Sequence, residues 1–361
     1  MSQPPKRVPG VSRSVPGGGL PSIAKVFSRL EDDLDLVERT MRDQLVGESA
    51  LMVSIGDHVV SSGGKRLRPA LVLLTAELCG YTGPRRVPIA AAIELLHTAT
   101  LLHDDVVDFS DLRRGRPSAN EIWGNRRAVL GGDFLYARAS NIVIDDGSME
   151  IMESFADTIR LMAEGELLQL EFSFDAAATE AQYYKVIDRK SAQLLRSACE
   201  AGAILAGATR GERRKIADFG CELGLAFQLR DDALDYEARS EETGKPAYTD
   251  LLEGKVTLPL LLTLKRCTGN ERELISRALK RSRQTDAEDP VAARSIGSDP
   301  AAETDLATIV ELVESYRGVP DTVRRAEEHV AKARASLAVF PDIPAKHSLL
   351  TAAEYAAGRD Y

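Results

Sequence analysis

Apolar residues recur at helical spacing along almost the whole chain from Ile23, and no run alternates polar and apolar residues over the length of a strand. Ala, Leu, Glu, Arg and Ile dominate, and most of these are strong helix formers. Segments 89–108, 216–235 and 258–265 are apolar on nearly every side, which is typical of helices buried inside a large bundle. The pattern predicts an all-α fold, a single large helical bundle.

Glycine and proline clusters predict where these helices stop, at 61–64, 80–84, 114–117, 145–147 and 244–246. Residues 1–21 are rich in proline and glycine, which predicts a disordered N-terminal tail. One all-α domain is expected over 22–361, with a loop or insert at 285–303 because prolines, glycine and aspartates cluster there.

Composition and charge exclude several classes of protein. Among 361 residues, 46 Lys and Arg face 55 Asp and Glu, and the net charge of −9 without a long basic run argues against nucleic acid as a partner. No apolar run approaches the length of a membrane span. Four cysteines lie far apart and form no CxxC pair, so we expect no disulfide framework and a cytoplasmic location.

Two helical segments carry three aspartates each at positions i, i+1 and i+4. Like charges at this spacing destabilise a helix, and burial raises the cost, so a positive partner is expected. Without thiols or paired histidines nearby, the hard cation Mg²⁺ fits best, and Mg²⁺ usually also binds phosphate oxygens of a substrate. The two clusters are Asp104, Asp105 and Asp108, and Asp231, Asp232 and Asp235.

The acidic segment 31–35 provides an internal comparison. It follows Ser28 near a predicted helix start, where the helix dipole favours negative charge, so these acids are interpreted as solvated helix-start residues. Asp104 and Asp231 instead lie towards the C-terminal ends of apolar helices, where the dipole disfavours them. Two clusters with matching spacing therefore indicate function.

Basic residues stand beside the predicted helix breaks and the acidic clusters. Arginine makes bidentate contacts to phosphate and lysine supplies a mobile point charge, a mixture that suits a diphosphate. His97 shares a helix face with Asp104 and Asp108, and Gln228 aligns with Asp235 in the same way. The basic residues are Lys65, Arg66, Arg68, Arg113, Arg114, Arg189, Lys190, Lys245 and Lys255.

From Ile23 to its C-terminus the chain resembles the trans-polyprenyl diphosphate synthases, the head-to-tail, chain-elongating isoprenoid synthases. The resemblance implies an all-α isoprenoid synthase fold with a central cavity, a homodimer, and condensation of isopentenyl diphosphate with an allylic prenyl diphosphate. The segments that carry it, in order, are 63–69, 94–108, 113–115, 132–135, 165–169, 189–192, 227–235 and 250–255.

Carried over by position, the resemblance implies a role for each site residue. Isopentenyl diphosphate would be bound by Lys65, Arg68, His97 and Arg114. The allylic diphosphate would be bound by Arg113, Lys190, Ser191, Gln228, Lys245 and Lys255, and Gln169 would be a further substrate-binding residue. Asp104, Asp108, Asp231 and Asp235 would hold Mg²⁺, with Asp105 and Asp232 as supporting carboxylates.

Three positions depart from the family pattern. Ser191 replaces a usual Thr and keeps the hydroxyl, Tyr248 stands where Gly is expected before Asp250, and Phe109 replaces a polar residue after Asp108. Because of Tyr248 and Phe109, we expect the loop over the diphosphate to differ from the loop that is usual in the family.

Product length is predicted from the residues one to three turns before Asp104. Successive turns, about 5.4 Å apart, would line the tunnel for the growing chain. Ile93, Leu96, Ala99 and Thr100 occupy these levels, and the small Ala99 and Thr100 predict a long product suitable for a quinone side chain. The alternative is that Thr100 is an ordinary core residue, in a short-chain farnesyl or geranylgeranyl synthase.

Three other functions fit the sequence less well. An HD-type phosphohydrolase built on His103 and Asp104 needs more metal-binding histidines than the chain provides, and a terpene cyclase would not need Lys65 and Arg68 for a second diphosphate. A catalytically silent subunit of a heteromeric synthase would have no need for two complete acidic clusters.

Overall fold

The computed structural model describes residues 20–46, 49–61, 64, 66–237, 248–288 and 300–358. In these residues the chain is built from α-helices and one two-stranded hairpin, in agreement with the predicted all-α class. Lys65, Lys245 and nearly all of the predicted 1–21 tail lie outside the described residues.

The elements of the first half surround the first aspartate cluster. They are α1 (Ile23–Arg29), α2 (Glu31–Asp43), α3 (Ala50–Ser61), α4 (Leu67–Leu78), α5 (Arg86–Val107), β1 (Leu112–Arg113), β2 (Arg116–Pro117), α6 (Ala119–Trp123) and α7 (Asn125–Asp146). The strands pair antiparallel, with Leu112 opposite Pro117.

The elements of the second half carry the second cluster and the C-terminal helices. They are α8 (Met149–Phe172), α9 (Glu180–Ile187), a π-helical turn (Asp188–Ala192), α10 (Gln193–Leu205), α11 (Arg210–Glu237), α12 (Thr249–Leu252), α13 (Leu258–Arg266), α14 (Gly269–Glu288), α15 (Pro300–Ser315), α16 (Gly318–Ser336) and α17 (Pro344–Gly358).

The predicted helix ends at glycine and proline are confirmed where the structure describes them. α3 ends at Ser61, and α7 ends before Gly147, whose φ of 76° suits the left-handed position after a helix. The acidic segment 31–35 begins α2 as expected, although Leu30 rather than Ser28 precedes its first turn. Asp33 in that turn pairs with Arg86 of α5 at 2.9 Å.

The predicted loop at 285–303 is wrong at both ends. α14 continues to Glu288, because residues up to there form helix readily, and Pro290 follows soon after as a helix breaker. α15 starts at Pro300, and proline is well suited to the first position of a helix. Residues 289–299 lie outside the described part of the chain.

The main hydrophobic cluster extends from Val26 to Ala356, and two smaller clusters include Leu229 and Leu260. α5 packs on α7, α4 on α10, α10 on α11, and α11 on α16. α5, α11 and α13 are buried on most sides, as their composition predicts. Among the described residues, no helix combines the length and apolar content that crossing a membrane requires. The C-terminal ends of α5 and α11 lie at the same end of the bundle and bring both aspartate clusters there.

Candidate active site

The two aspartate clusters face each other across one lysine. The Nζ atom of Lys255 lies 3.5 Å from Asp108 at the end of α5 and 3.9 Å from Asp250, and it also pairs with Glu253. The charge of Asp231 raises the pKa of Asp250, and the charge of Asp250 raises the pKa of Asp235, so Asp250 lies close to both aspartates. The turn 250–255 therefore joins two clusters that are far apart in sequence.

The middle aspartate of each cluster is buried and holds a neighbouring side chain. Asp105, 2% exposed, accepts a hydrogen bond of 2.6 Å from Arg113 Nε. Asp232, also 2% exposed, accepts hydrogen bonds from Gln228 Nε2 at 2.7 Å and from the Tyr183 hydroxyl at 2.5 Å. Such carboxylates orient their partners, in keeping with the supporting role predicted for both.

The outer aspartates are half-buried and crowded by negative charge. Burial raises the pKa of Asp104 to about 6, with Glu166 and Asp108 adding to the effect and Lys190 opposing it. Burial and then the charge of Asp250 raise the pKa of Asp235 to about 7, although the backbone N–H groups of Thr249 and Asp250 donate to its carboxylate. Carboxylates in this state attract a cation.

Two carboxylates at the site, Asp250 and Glu166, are not among the residues predicted from the sequence. Burial raises the pKa of Asp250, which lies against the second cluster, while Lys255 opposes the shift. Glu166 pairs with Lys190 at 2.6 Å. Both lie in segments that carry the family resemblance. Their acidic side chains, in the same segments or site as the predicted lysines, are the sequence feature that could have identified them.

The carboxylate set fits Mg²⁺ bound together with a substrate. Within the described ranges, no three His, Cys, Asp or Glu side chains form a ready-made metal site. Mg²⁺ does not need one, because it is usually bound by one or two carboxylates plus water and substrate phosphate oxygens. Half-buried oxygens presented from two facing helices suit that mode of binding.

Lys190 and Ser191 lie in the π-helical turn, a rare conformation that is frequent at functional sites. Two helices press on the turn through glycine. A Cβ atom on Gly165 would lie 2.6 Å from the backbone nitrogen of Lys190, and one on Gly224 would lie 2.5 Å from Cα of Ala192. The turn directs the Ser191 hydroxyl to Gln228 Oε1 at 2.7 Å.

A cavity of about 120 Å³ opens beside these groups. Its polar lining comprises Gln169, Ser173, Tyr183, Lys190, Ser191, Gln228, Asp232, Asp250, Lys255 and Thr257. Phe172, Val186, Ile187 and Val256 supply apolar walls. Four residues predicted to bind the allylic diphosphate thus share one cavity with Gln169, which is predicted to bind substrate: Lys190, Ser191, Gln228 and Lys255. The four predicted chain-length residues lie elsewhere, on α5, where Ile93, Leu96 and Ala99 are buried and Thr100 is half-buried.

A second group of cations gathers around His97. Burial lowers the pKa of His97 well below its usual value, and the charges of Arg68, Arg114, Arg113 and Arg66 lower it further, so the ring is neutral. Arg66 is fixed by Glu94 at 3.0 Å and by the Val60 carbonyl at 2.8 Å. The structure therefore brings together Arg68, His97 and Arg114, which were predicted to bind one diphosphate.

Phe109 and Tyr248, the two departures from the family pattern, both have left-handed backbone. Phe109, with φ of 50°, follows α5 in a turn where its N–H donates to Val106 O at 3.4 Å and Ser110 N–H donates to Asp105 O at 2.9 Å. Tyr248, with φ of 63°, precedes α12. Glycine adopts this conformation without steric cost, which explains why the family pattern has Gly at the Tyr248 position.

Comparison with known proteins identifies the family. The polyprenyl synthetase family model matches residues 49–295. Octaprenyl diphosphate synthase of Escherichia coli (strain K12) is 39% identical over 94% of this chain and 99% of its own length. The all-trans-nonaprenyl-diphosphate synthase (geranyl-diphosphate specific) of Rhodobacter capsulatus is 35% identical over 92% of the chain and 97% of its own.

A solved structure agrees with the fold. The polyprenyl synthase of Caulobacter crescentus CB15, complexed with calcium and isoprenyl diphosphate, superposes with a TM-score of 0.85 at 39% identity, covering 94% of this chain and 98% of its own. The chain belongs to the polyprenyl synthetase family, and it is, as predicted, a prenyltransferase.

Proposed function

We propose that the protein condenses isopentenyl diphosphate with an allylic diphosphate to make a long-chain all-trans polyprenyl diphosphate for quinone side chains, with Mg²⁺ as cofactor. The observation that carries the proposal is the presence of two separate cation groups beside the facing carboxylates. One group surrounds the cavity at Lys190 and Lys255, and the other surrounds His97. Two diphosphates therefore have their own binding groups.

A long product is supported by the relatives and by α5. The two relatives described above are named as octaprenyl and nonaprenyl synthases. In this chain Ala99 and Thr100 are small residues one turn before Asp104, and neither carries the bulk that would close a tunnel at that level. Thr100 donates its hydroxyl to His97 O within the helix at 2.8 Å, so it presents its methyl group and not an unpaired polar atom.

The first step is ionisation of the allylic C–O bond. As the diphosphate leaves it gains negative charge, and fixed donors aimed at its oxygens stabilise that charge without reorganisation. Lys190, Lys255, Ser191 and Gln228 surround the cavity where the leaving group is expected. A short hydrogen bond from Arg113 to Asp105 holds Arg113 at the first aspartate cluster.

Asp104, Asp108, Asp231 and Asp235 would hold Mg²⁺, which would neutralise the diphosphate oxygens as the allylic bond breaks. The divalent calcium and the isoprenyl diphosphate in the Caulobacter structure support this assignment. Lys255 pairs with Asp108 and Asp250, so its positive charge lowers the repulsion between the two clusters.

The second step is attack by the isopentenyl double bond on the allylic cation. Arg68 and Arg114 would fix the isopentenyl diphosphate, and the neutral His97 can donate one ring N–H to it without adding charge. A proton then leaves the new chain, and the departed diphosphate is the base at hand. The apolar walls at Phe172, Val186 and Val256 exclude water, which would quench the cation.

The proposal includes a homodimer. Five large apolar side chains of α7 and α8 are 54–65% exposed in the single chain. They are Leu130, Ile144, Met149, Leu167 and Leu170. Small residues on the same faces, such as Ala137 and Ala163, allow close approach of a second copy. Two-fold pairing of this surface would bury them.

A cytoplasmic location is also part of the proposal. It is supported by the four cysteines, each of which is a free thiol: Cys79, Cys199, Cys221 and Cys267. Cys199 is fully buried, and burial raises the pKa of its thiol, which makes it unreactive.

The test uses the purified full chain with Mg²⁺, radiolabelled isopentenyl diphosphate and either farnesyl or geranylgeranyl diphosphate. Products are dephosphorylated and sized by reversed-phase chromatography. We expect a ladder of polyprenols that ends at one long product, and no product after chelation by EDTA.

Two results would contradict the proposal. Products that stop at farnesyl or geranylgeranyl length would show a short-chain synthase. Absence of incorporation, with diphosphate binding retained, would show a silent subunit. Size-exclusion chromatography with light scattering tests the dimer separately, since a monomer at assay concentration would contradict it.

A further inference from the structure

Four side chains that line the cavity form one continuous hydrogen-bonded chain. Ser191 Oγ donates to Gln228 Oε1 at 2.7 Å, Gln228 Nε2 donates to Asp232 Oδ1 at 2.7 Å, and the Tyr183 hydroxyl donates to Asp232 Oδ2 at 2.5 Å. Ser191 and Gln228 line the cavity beside Lys190. Tyr183, which also lines the cavity, is the last member of the chain.

The direction of this chain fixes the orientation of the Gln228 amide. The NH₂ group of Gln228 donates to Asp232 Oδ1 and therefore faces that carboxyl group. The amide oxygen of Gln228 then faces Ser191 and accepts its hydroxyl proton. One amide hydrogen of Gln228 and the lone pairs of Ser191 Oγ stay available at the cavity.

Tyr183 lines the cavity, and its hydroxyl donates to Asp232. Its ring packs among buried residues of α11 and α13, including Leu225, Leu229 and Leu261, and the residue is 7% exposed. Its hydroxyl takes one oxygen of Asp232, and Gln228 takes the other. With both oxygens occupied, the Asp232 carboxylate is kept from rotating towards its neighbours Asp231 and Asp235.

We propose that Tyr183 is a positioning residue for the allylic substrate: by donating to Asp232 it fixes the amide of Gln228 and, through that amide, the hydroxyl of Ser191. This inference rests on the proposed function and assigns one determinant of it. Tyr183 lies on α9, outside the segments of acidic and basic residues that define the site in the sequence. It acts through Asp232 and needs no contact with the reacting atoms.

The experiment compares Tyr183→Phe with Tyr184→Phe in the full-length enzyme. Removal of the Tyr183 hydroxyl is expected to raise KM for the allylic diphosphate about tenfold, because a buried hydrogen bond is lost, and to leave KM for isopentenyl diphosphate within about twofold. Tyr184 is half-buried against His329, with ring centroids 5.8 Å apart, and lies outside the hydrogen-bonded chain. Tyr184→Phe is therefore expected to change neither KM.

A double-mutant cycle separates positioning from a general effect on the fold. If Tyr183 acts through the chain, Tyr183→Phe in a Ser191→Ala background should raise the allylic KM only about twofold. The same tenfold increase in both backgrounds, or an equal rise in KM for both substrates, would overturn the inference.

Asp232→Asn tests the same chain without removing the buried ring. Asp232 accepts from Tyr183 and Gln228 through two different oxygens. An asparagine side chain has one oxygen and one NH₂ group, so it cannot accept at both positions. We expect the same selective rise in the allylic KM, and an unchanged KM would overturn the inference even if Tyr183→Phe failed to fold. A wild-type enzyme that forms no prenyl product would instead overturn the proposed function, and the inference with it.

Discussion

Lys255 Nζ lies 3.5 Å from Asp108 Oδ2, although the two residues belong to different halves of the chain. The same ammonium group contacts Asp250 at 3.9 Å and pairs with Glu253. Burial works against its charge, yet Asp250, Glu253 and Asp108 outweigh this effect and raise the pKa of Lys255. The lysine stays protonated and provides a fixed positive charge between the two acidic clusters.

Lys255→Ala is expected to lower kcat/KM for the allylic diphosphate by about 100-fold, or about 2.7 kcal/mol, because one fixed cation for the leaving group is lost. Lys265→Ala is the matched control. Its ammonium pairs with Glu180 at 2.6 Å on the surface, with 63% of the side chain exposed. Steady-state assays should find the control within about twofold of wild type, whereas a Lys255→Ala enzyme of normal activity would refute the role of Lys255.

Gly165 controls the position of the π-helical turn. A Cβ atom there would lie 2.6 Å from the Lys190 nitrogen and 2.9 Å from Cβ of Arg189, so Gly165→Ala must push the turn away. We expect a loss of about 1–3 kcal/mol in the free energy of unfolding, as for other overpacked sites, together with a rise in KM for the allylic diphosphate. Urea unfolding and steady-state kinetics measure the two effects.

Gly211→Ala is the control for this substitution. Gly211 lies in the first turn of α11 with no atom within 4 Å of its added Cβ. Alanine is the better helix former, by up to about 1 kcal/mol, so stability should stay equal or rise and the kinetics should not change. Equal behaviour of the two variants would show that the close approach at Gly165 does not position Lys190.

Asp104 is expected to reduce the stability of the metal-free protein. Its pKa rises from 3.8 in the unfolded chain to about 6 in the folded one, chiefly through burial. Between these values the folded protein retains a proton that the unfolded chain has lost. The stabilisation from this group is therefore complete below pH 3.8 and is lost as the pH rises through about 6.

Asp104→Asn should remove that pH dependence. In EDTA at pH 7.5, its free energy of unfolding is expected to exceed that of wild type by roughly 1–3 kcal/mol, with little difference near pH 4 and with activity lost. Asp145→Asn, at an exposed position at the end of α7, should match wild type at both pH values. Lower stability of Asp104→Asn at pH 7.5 would contradict the pKa shift.

Helical spacing was sufficient to predict the fold and the two acidic clusters. Aspartates at i, i+1 and i+4 in an apolar helix indicate a functional site. The order of the acidic and basic segments along the chain is what resembles the family. Phe109 and Tyr248 were recognised as departures from the family pattern, and their left-handed backbone gives the physical reason.

Other features depend on contacts that spacing does not encode. The pairing of Lys255 with Asp108 requires a turn that returns the chain to the end of α5, and hydrophobic periodicity carries no information on that turn. The π-helical turn at Asp188–Ala192 breaks the helical period for only a few residues, and close packing at Gly165 and Gly224 accompanies it. The chain through Tyr183 and Asp232 likewise links α9 to α11 only in three dimensions.

Thr100 provides the test of product length. It lies one turn, about 5.4 Å, before Asp104 on α5, and its hydroxyl donates to His97 O within the helix, so a larger side chain breaks no hydrogen bond to another element. Thr100→Phe is expected to shorten the longest product by several isoprene units, because the ring would block the tunnel near the acidic cluster. Leu101→Phe, half-buried at the next position and about 100° around the helix, should keep the wild-type ladder. Reversed-phase sizing of the polyprenols distinguishes them, and an unchanged ladder for Thr100→Phe would make Thr100 an ordinary core residue.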